Sequence, residues 1–378
     1  MPAPQLFDAI ACESEQRISS FKPQELTDAA WAFATLGVPA PRLFEAIARE
    51  SEQRIGSFEA QGIANIAWAF ATHGIPAPRL FEAIARESEQ RIGNFNAQGL
   101  ANTAWAFATL GTPAPQLFEA IARDSAQRVG DFNAKSLANT AWAFATLGVP
   151  ASQLFDAIAR VSEQRIDSFN AQGLAHTAWA FAIVGTASRG ALVKAISARA
   201  AEMGLAAFSG EQRHQLHHFF LGVELEACLP AELLAPIGLR DACRQAMADN
   251  EPARSSKLHE DVSSKLTRMG IAHANDLCVP RLGYHVDIAI LPAAGTSATA
   301  KYVGIVIEVD GPTHYDDERR LRPASEMIRR HLALAGWGVL DVPYWEWDAL
   351  KGPARKAYLA NLLARAGLLE PGRVNNSS

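Results

Sequence analysis

Five positions spaced by 37 residues carry side chains able to read a nucleic-acid base: Asp28, Asn65, Asn102, Asn139 and His176. Each of these types can hydrogen-bond a base edge, and one such residue per helical repeat is how modular readers of single-stranded RNA are built. A tryptophan follows three residues after each: Trp31, Trp68, Trp105, Trp142 and Trp179. An indole face is a stacking platform for a base, although the plainer reading of such a column is core packing. The polar column likewise has plainer readings, a solvated face or a ladder of asparagine hydrogen bonds between repeats. A second set lies far along the chain. Arg319, Arg320, Arg322, Arg329, Arg330 and His331 form a basic cluster, with Tyr315, Tyr344, Trp345 and Trp347 near it. Phosphate binding with base stacking is the chemistry of that combination; a solvated helix face is the alternative.

The elements that must position the first set are legible from its period. A unit such as F-N-A-Q-G-L-A-N-T-A-W-A-F-A-T-L-G recurs every 37 residues, and Phe7, Phe44, Phe81, Phe118 and Phe155 keep the same spacing. Leu100, Ala104, Phe107 and Ala108 recur at helical spacing, so a first helix is expected over about 97–110 with these residues inward. Gln98, Asn102 and Thr109 share its outer face. Gly111 stops the helix, and Pro113 and Pro115 cannot continue it. Pro115 suits the first turn of a second helix, about 115–129. Leu117, Ile121 and Val129 are expected inward there, and Glu119, Arg123 and Arg128 outward. Two helices per unit cannot bury their own apolar face, so the units must stack. The expectation is an α-solenoid of two-helix, 37-residue repeats. The next tryptophan and phenylalanine positions hold Leu216 and Leu192, so the pattern decays as a capping repeat should.

Composition narrows the field. The net charge is −5, and residues 1–188 carry all of it, with 13 Lys and Arg against 18 Asp and Glu. Any nucleic-acid contact there rests on local groups and not on a diffuse positive field. Cys12, Cys228, Cys243 and Cys278 show no metal-ligand spacing, and a reducing, intracellular setting is the simplest reading. No apolar run reaches the length of a membrane span. The first residues resemble neither a signal peptide nor a transit peptide, and the chain begins inside a repeat, as a fragment of a longer array would. The expected organisation is repeats over 1–188, a degenerate cap and linker over 189–250, a small α/β domain over 251–368 and a disordered tail over 369–378.

In the third of these, an amphipathic helix is expected over 255–269 and a strand over 285–291. A loop follows over 292–300, then a strand over 302–309 closed by Asp310-Gly311-Pro312. A helix over 324–335, a strand over 338–342 and a helix over 352–366 complete an α-β-β-α-β-α order, a small sheet flanked by helices.

The blocks of Leu100–Gly111 type resemble the octotricopeptide repeat of organellar RNA-binding proteins, whose unit usually has one residue more. Ile307-Glu308-Val309-Asp310-Gly311-Pro312-Thr313-His314-Tyr315, Gly336-Trp337, Val342-Pro343-Tyr344-Trp345-Glu346-Trp347 and Tyr358-Leu359 resemble the RAP domain. That domain is similar in turn to the restriction-endonuclease-like fold. The resemblance implies carboxylates on adjacent strands holding a divalent metal: Asp287, Glu308 and Asp310, a set that suits Mg²⁺. Glu260 or Asp261 would add a ligand, and His314 would act as acid or base. One departure is plain, since Asp310 stands where the nuclease pattern has lysine; Arg330 or Arg329 would supply the positive charge instead. RNA processing, stability or translation in a mitochondrion or chloroplast is the implied role, with single-stranded RNA and ribonucleoprotein components as partners; a cytoplasmic site of action stays open. The contacts to RNA would come from the polar column with Arg319, Arg320, Arg329 and Trp345. A metal-dependent endoribonuclease and a protein-interaction scaffold without RNA binding are the rival readings.

Overall fold

Alanine, glycine and threonine crowd the first helix of each repeat, and small side chains let neighbouring helices approach closely. A Cβ at Gly99 would stand 3.7 Å from the Ala64 Cβ of the preceding repeat. The computed structural model describes residues 4–186, 189–226, 234–250, 256–292 and 302–368. The expected tail over 369–378, most of the expected loop over 292–300 and Cys228 lie outside them. The chain divides into two compact units, Met1–Val184 with Arg189–Met203, and Gly185–Ser188 with Gly204–Ser378.

In the first unit the helices run α1 (Pro4–Arg17), α2 (Pro23–Leu36), α3 (Pro41–Arg54), α4 (Ala60–Thr72), α5 (Pro78–Gln90), α6 (Ala97–Thr109), α7 (Pro115–Gln127), α8 (Ala134–Leu147), α9 (Ser152–Gln164), α10 (Ala171–Val184) and α11 (Gly190–Met203). The even-numbered first helices pack on one another more closely than the odd-numbered second helices do, giving two layers of unequal spacing. Leu100, Ala104, Phe107 and Ala108 are buried as expected. Phe81 and Phe107 meet edge to face with centroids 4.9 Å apart, as do Phe118 and Phe144, so each second helix is keyed to the next first helix. Pro41, Pro78 and Pro115 open the second helices. Gly37 and Gly148 close first helices at φ +64° and +66°, a left-handed conformation that glycine adopts without penalty.

Two features differ from expectation. Each second helix ends in a short 3-10 turn, such as Val129–Asp131, followed by a phenylalanine that is buried in every case but Phe21, as Phe132 is. Arg128, expected outward, is half-buried: its Nη2 donates to the Phe95 carbonyl of the preceding repeat at 3.0 Å. Arg91 and Arg165 make the same reach to the Phe58 and Phe132 carbonyls. The guanidinium therefore clamps successive repeats, because the turn before the phenylalanine leaves a carbonyl without a helical partner.

The second unit begins with α12 (Gly210–Glu226) and α13 (Ile237–Ala248), followed by α14 (Lys257–Arg268). Four strands then form one sheet in the order β1 (Ala274–Val279), β2 (Tyr284–Ile290), β3 (Ile305–Asp310), β4 (Gly338–Pro343). β1, β2 and β3 pair antiparallel; β3 and β4 pair parallel through α15 (Pro323–Leu334). The chain ends in α16 (Tyr344–Ala349) and α17 (Pro353–Arg365). Ile307, Val342 and Trp347 pack with Val262 and Leu363 on one face of the sheet. Val306 and Trp337 pack with Leu221 and Leu332 on the other. The sequence reading missed β1 and α16. No helix among the described residues is long and apolar enough to cross a membrane.

Candidate functional site

On each first helix the polar residue and the tryptophan three positions later share a face one turn apart. The tryptophans are not core residues. Trp31 is 48% exposed, and Trp68, Trp105, Trp142 and Trp179 are half-buried, so the core-packing expectation is corrected. Their neighbours Ala67, Ala104 and Ala141 fill the interior instead. Trp142 lies against the next repeat, its ring stacked on His176 with centroids 5.6 Å apart and tilted against Trp179 at 6.3 Å. Burial holds His176 down at a pKa of about 4, so near neutral pH its ring is uncharged; its Nδ1 is buried, which leaves Nε2 as the nitrogen able to meet a ligand. Asn65, Asn102 and Asn139 are half-buried, and among the described residues their amides have no hydrogen-bond partner. The ladder of asparagine bonds between repeats is therefore absent there. Asp28 is exposed and accepts from Gln24 at 2.8 Å. The stripe thus alternates half-open indoles with amides whose donors and acceptors face outward.

In the second unit, β3 turns Glu308 and Asp310 to the face opposite Ile307 and Val309. Asp310 is 1% exposed. It accepts from the Tyr315 hydroxyl at 3.0 Å, pairs closely with Arg329 and has His314 Nδ1 at 3.3 Å. Arg329 also reaches Asp341 Oδ1 on β4 at 3.0 Å. Glu308 lies beside Asp341 in the parallel ladder. Burial, then the charges of Asp287 and Asp310, push its carboxyl up to about 8, while Arg329 pulls the other way. Asp287 Oδ2 accepts from the Val309 N–H at 2.7 Å.

Residues 3–219 match the family described as RNA-editing substrate-binding complex 6 protein, over half of the chain. The chain belongs to that family. Residues 307–362 match the RAP domain, so helical repeats precede a C-terminal RAP domain, as the sequence implied.

Within the RAP domain several expected roles meet a different geometry. Asp287, Glu308 and Asp310 do not form a three-ligand group. Among the described residues, the one set of three with ligand atoms within 4.8 Å of one another is His259, Asp276 and Asp287. Asp310 is instead neutralised by Arg329, which fills the space between it and Asp341. Arg330 turns away from the carboxylates and donates to Glu226 at 2.7 Å. Asp261, offered as an extra ligand, accepts from Trp347 Nε1 at 3.0 Å and pairs with Arg355; Glu260 is exposed. Half-exposed His314 keeps one ring nitrogen near Ser325 as well as Asp310.

The basic cluster is divided in the same way. Arg329 is consumed internally. Arg320 pairs with Asp316 at 2.7 Å and Glu318 at 2.9 Å, and Arg322 donates to the Thr313 carbonyl. Arg319, at φ +61°, lays its guanidinium 5.4 Å from the centre of the Trp345 ring. Trp345 in turn meets Tyr315 at 4.4 Å and Tyr344 at 5.2 Å, both edge to face. Trp347 is 1% exposed and belongs to the core. Arg319, Arg320 and Arg322 all stay exposed, and Arg319 is the one seen to lie over an aromatic ring, beside half-buried Trp345 and Tyr344.

Proposed function

We propose that this chain binds single-stranded RNA along the stripe formed by Asp28, Asn65, Asn102, Asn139 and His176 with their tryptophans. The Arg319–Trp345 group of the RAP domain serves as a second contact, to phosphate and base. The observation that carries this reading is the row of half-buried amides without protein partners, each one turn from a half-open indole. Half-open amides of this kind are met by water in the free chain, and a base edge can replace that water with paired hydrogen bonds. The family description names an RNA-editing substrate-binding complex; by extension RNA is the proposed ligand and other ribonucleoprotein components the proposed partners. The proposed setting is a mitochondrion or chloroplast, resting on the resemblance of the repeats. The RAP domain is assigned binding and not cleavage, since Arg329 pairs with Asp310, one of the three carboxylates expected to hold Mg²⁺, and the three form no ligand group.

The test replaces Asn65, Asn102 and Asn139 together by Ala and measures the affinity for single-stranded RNA at several salt concentrations. Affinity should fall at least tenfold with little change in melting temperature. The salt slope should stay shallow for an acidic stack that neutralises few phosphates, and it should not change with the substitution. Unchanged affinity would give the amides a structural role. No RNA binding at any salt concentration would favour the scaffold reading.

A further inference from the structure

A buried histidine and two aspartates meet where β1 and β2 run past each other, outside the contacts invoked for RNA. His259, on α14, is 4% exposed. Its Nε2 lies 3.3 Å from Asn275 Oδ1. An amide oxygen only accepts, so Nε2 donates, and Nδ1 is the ring nitrogen left to act as a metal ligand. That nitrogen faces Asp276 Oδ1 at 3.9 Å, too far for a hydrogen bond. Asp287 completes the group, and the three ligand atoms all lie within 4.8 Å of one another. An imidazole and two carboxylates gathered this closely are held together by a positive charge, either a proton on the ring or a cation bound among them.

The backbone is shaped to make this meeting. Cross-strand pairs run Leu277 with Val286 and Asn275 with Ile288, which places Asp276 opposite Asp287. Asp276 has φ +50°, which re-aims its side chain within an otherwise regular strand. The supporting bonds follow the pattern around protein-bound metals, where a ligating histidine donates its other N–H to an oxygen and a ligating carboxylate is itself hydrogen-bonded. Asn275 plays the first part, and the Val309 N–H holds Asp287 Oδ2 in the second.

We propose that His259 Nδ1, Asp276 and Asp287 bind one first-row divalent cation of the Zn²⁺ or Mn²⁺ kind. One imidazole with two carboxylates suits these ions better than Mg²⁺, which prefers an all-oxygen shell. The site differs from the Asp287–Glu308–Asp310 set and uses only Asp287 from it. It ties α14 to the outer hairpin of the sheet, and water fills the remaining positions of the ion.

The experiment titrates the full chain with MnCl₂ and follows free Mn²⁺ by electron paramagnetic resonance, with ZnCl₂ as competitor. One saturable site is expected. His259→Gln and Asp276→Asn should each weaken it at least tenfold, and Asn275→Ala by about tenfold through the lost support. Asn tolerates the left-handed conformation at Asp276, so that variant keeps the backbone even if His259→Gln folds poorly. Glu211→Gln, an exposed carboxylate at the start of α12, should leave binding unchanged. No saturable binding, or binding that survives both ligand substitutions, overturns the proposal. RNA affinity, measured separately, tests the preceding reading and not this one.

Discussion

Trp142 and Phe144 stand two residues apart on one helix and separate binding from folding. Phe144 is fully buried and meets Phe118 edge to face, whereas Trp142 is half-buried and stacks on His176. Phe144→Ala should destabilise the stack by about 3–5 kcal/mol through the cavity it leaves. Trp142→Ala should shift urea unfolding far less. Its RNA affinity should fall by one to two orders of magnitude, as expected from stacking worth roughly 1–3 kcal/mol per base. Equal losses of stability in the two variants would return the tryptophans to the core. The sequence showed which residues repeat, and hence where the stripe runs. It did not show which way the indoles face, because tryptophan suits core and stacking surface alike. The RAP carboxylates were found by resemblance, but their partners were not. Arg329 lies 19 residues beyond Asp310, and only the crossover of α15 between β3 and β4 brings them together.

At the scale of elements, two kinds of contact carry predictions. The arginine clamps join repeats through a phenylalanine carbonyl of the preceding unit. Arg128→Ala should cost about 1–3 kcal/mol, the penalty of stranding a partly buried acceptor, read as a lower urea midpoint with unchanged slope. Arg128→Lys should recover only part of it, since Lys lacks the planar fork that serves Asp124 and the Phe95 carbonyl together. This contact was illegible in sequence because it spans 33 residues and joins a side chain to a backbone oxygen. The second contact is a buried chain that ties α12 to β2 and α15. His218 Nδ1 meets the Tyr284 hydroxyl at 3.0 Å, Tyr284 meets His331 Nδ1 at 2.8 Å, and His217 Nε2 donates to the Leu282 carbonyl at 2.6 Å. Burial, with nearby positive groups, holds His217 at about 4, His331 at about 3 and His218 well below its ordinary value. Arg244, His214 and Arg330 supply like charge, and Glu226 stands 3.9 Å from His331. An unfolded chain protonates these rings near pH 6.5, while the folded chain resists. The contribution to stability is therefore whole above pH 6.5 and is lost as pH falls toward 4. The unfolding free energy from urea titrations should drop between pH 6.5 and 5, by up to about 1.4 kcal/mol per pH unit for each histidine. His218→Asn should flatten that slope; a profile with no slope over this window would place the rings in a less buried setting. β1 escaped sequence reading for a related reason, since A-N-D-L-C-V lacks the alternation of a half-buried strand, and pairing with β2 makes it one.

At the scale of the whole molecule, the period itself is the quantity to test. A stack in which each unit meets its neighbours through equivalent residues tolerates loss of an internal unit. Deleting residues 97–133 removes one 37-residue repeat and leaves Asn96 to cap the helix that Asn133 caps in the intact chain. Phe81 would then face Phe144 in place of Phe107, and Arg165 would reach the Phe95 carbonyl in place of that of Phe132, both like-for-like exchanges. The shortened chain should fold with full helical signal and a modestly lower melting temperature. If each repeat reads one base, as in helical-repeat RNA readers, the shortest oligonucleotide bound at full strength should lose about one nucleotide. Anisotropy titrations against an RNA length series would show this as a one-step shift of the plateau. An unchanged plateau would mean that Asn102 and Trp105 take no base, and a shift of several nucleotides would mean that the stripe follows the backbone and not the bases. A further shortening of the plateau when Asn65 and Asn139 are replaced by Ala in the shortened chain would locate the reading in the amides, since Trp68 and Trp142 remain there.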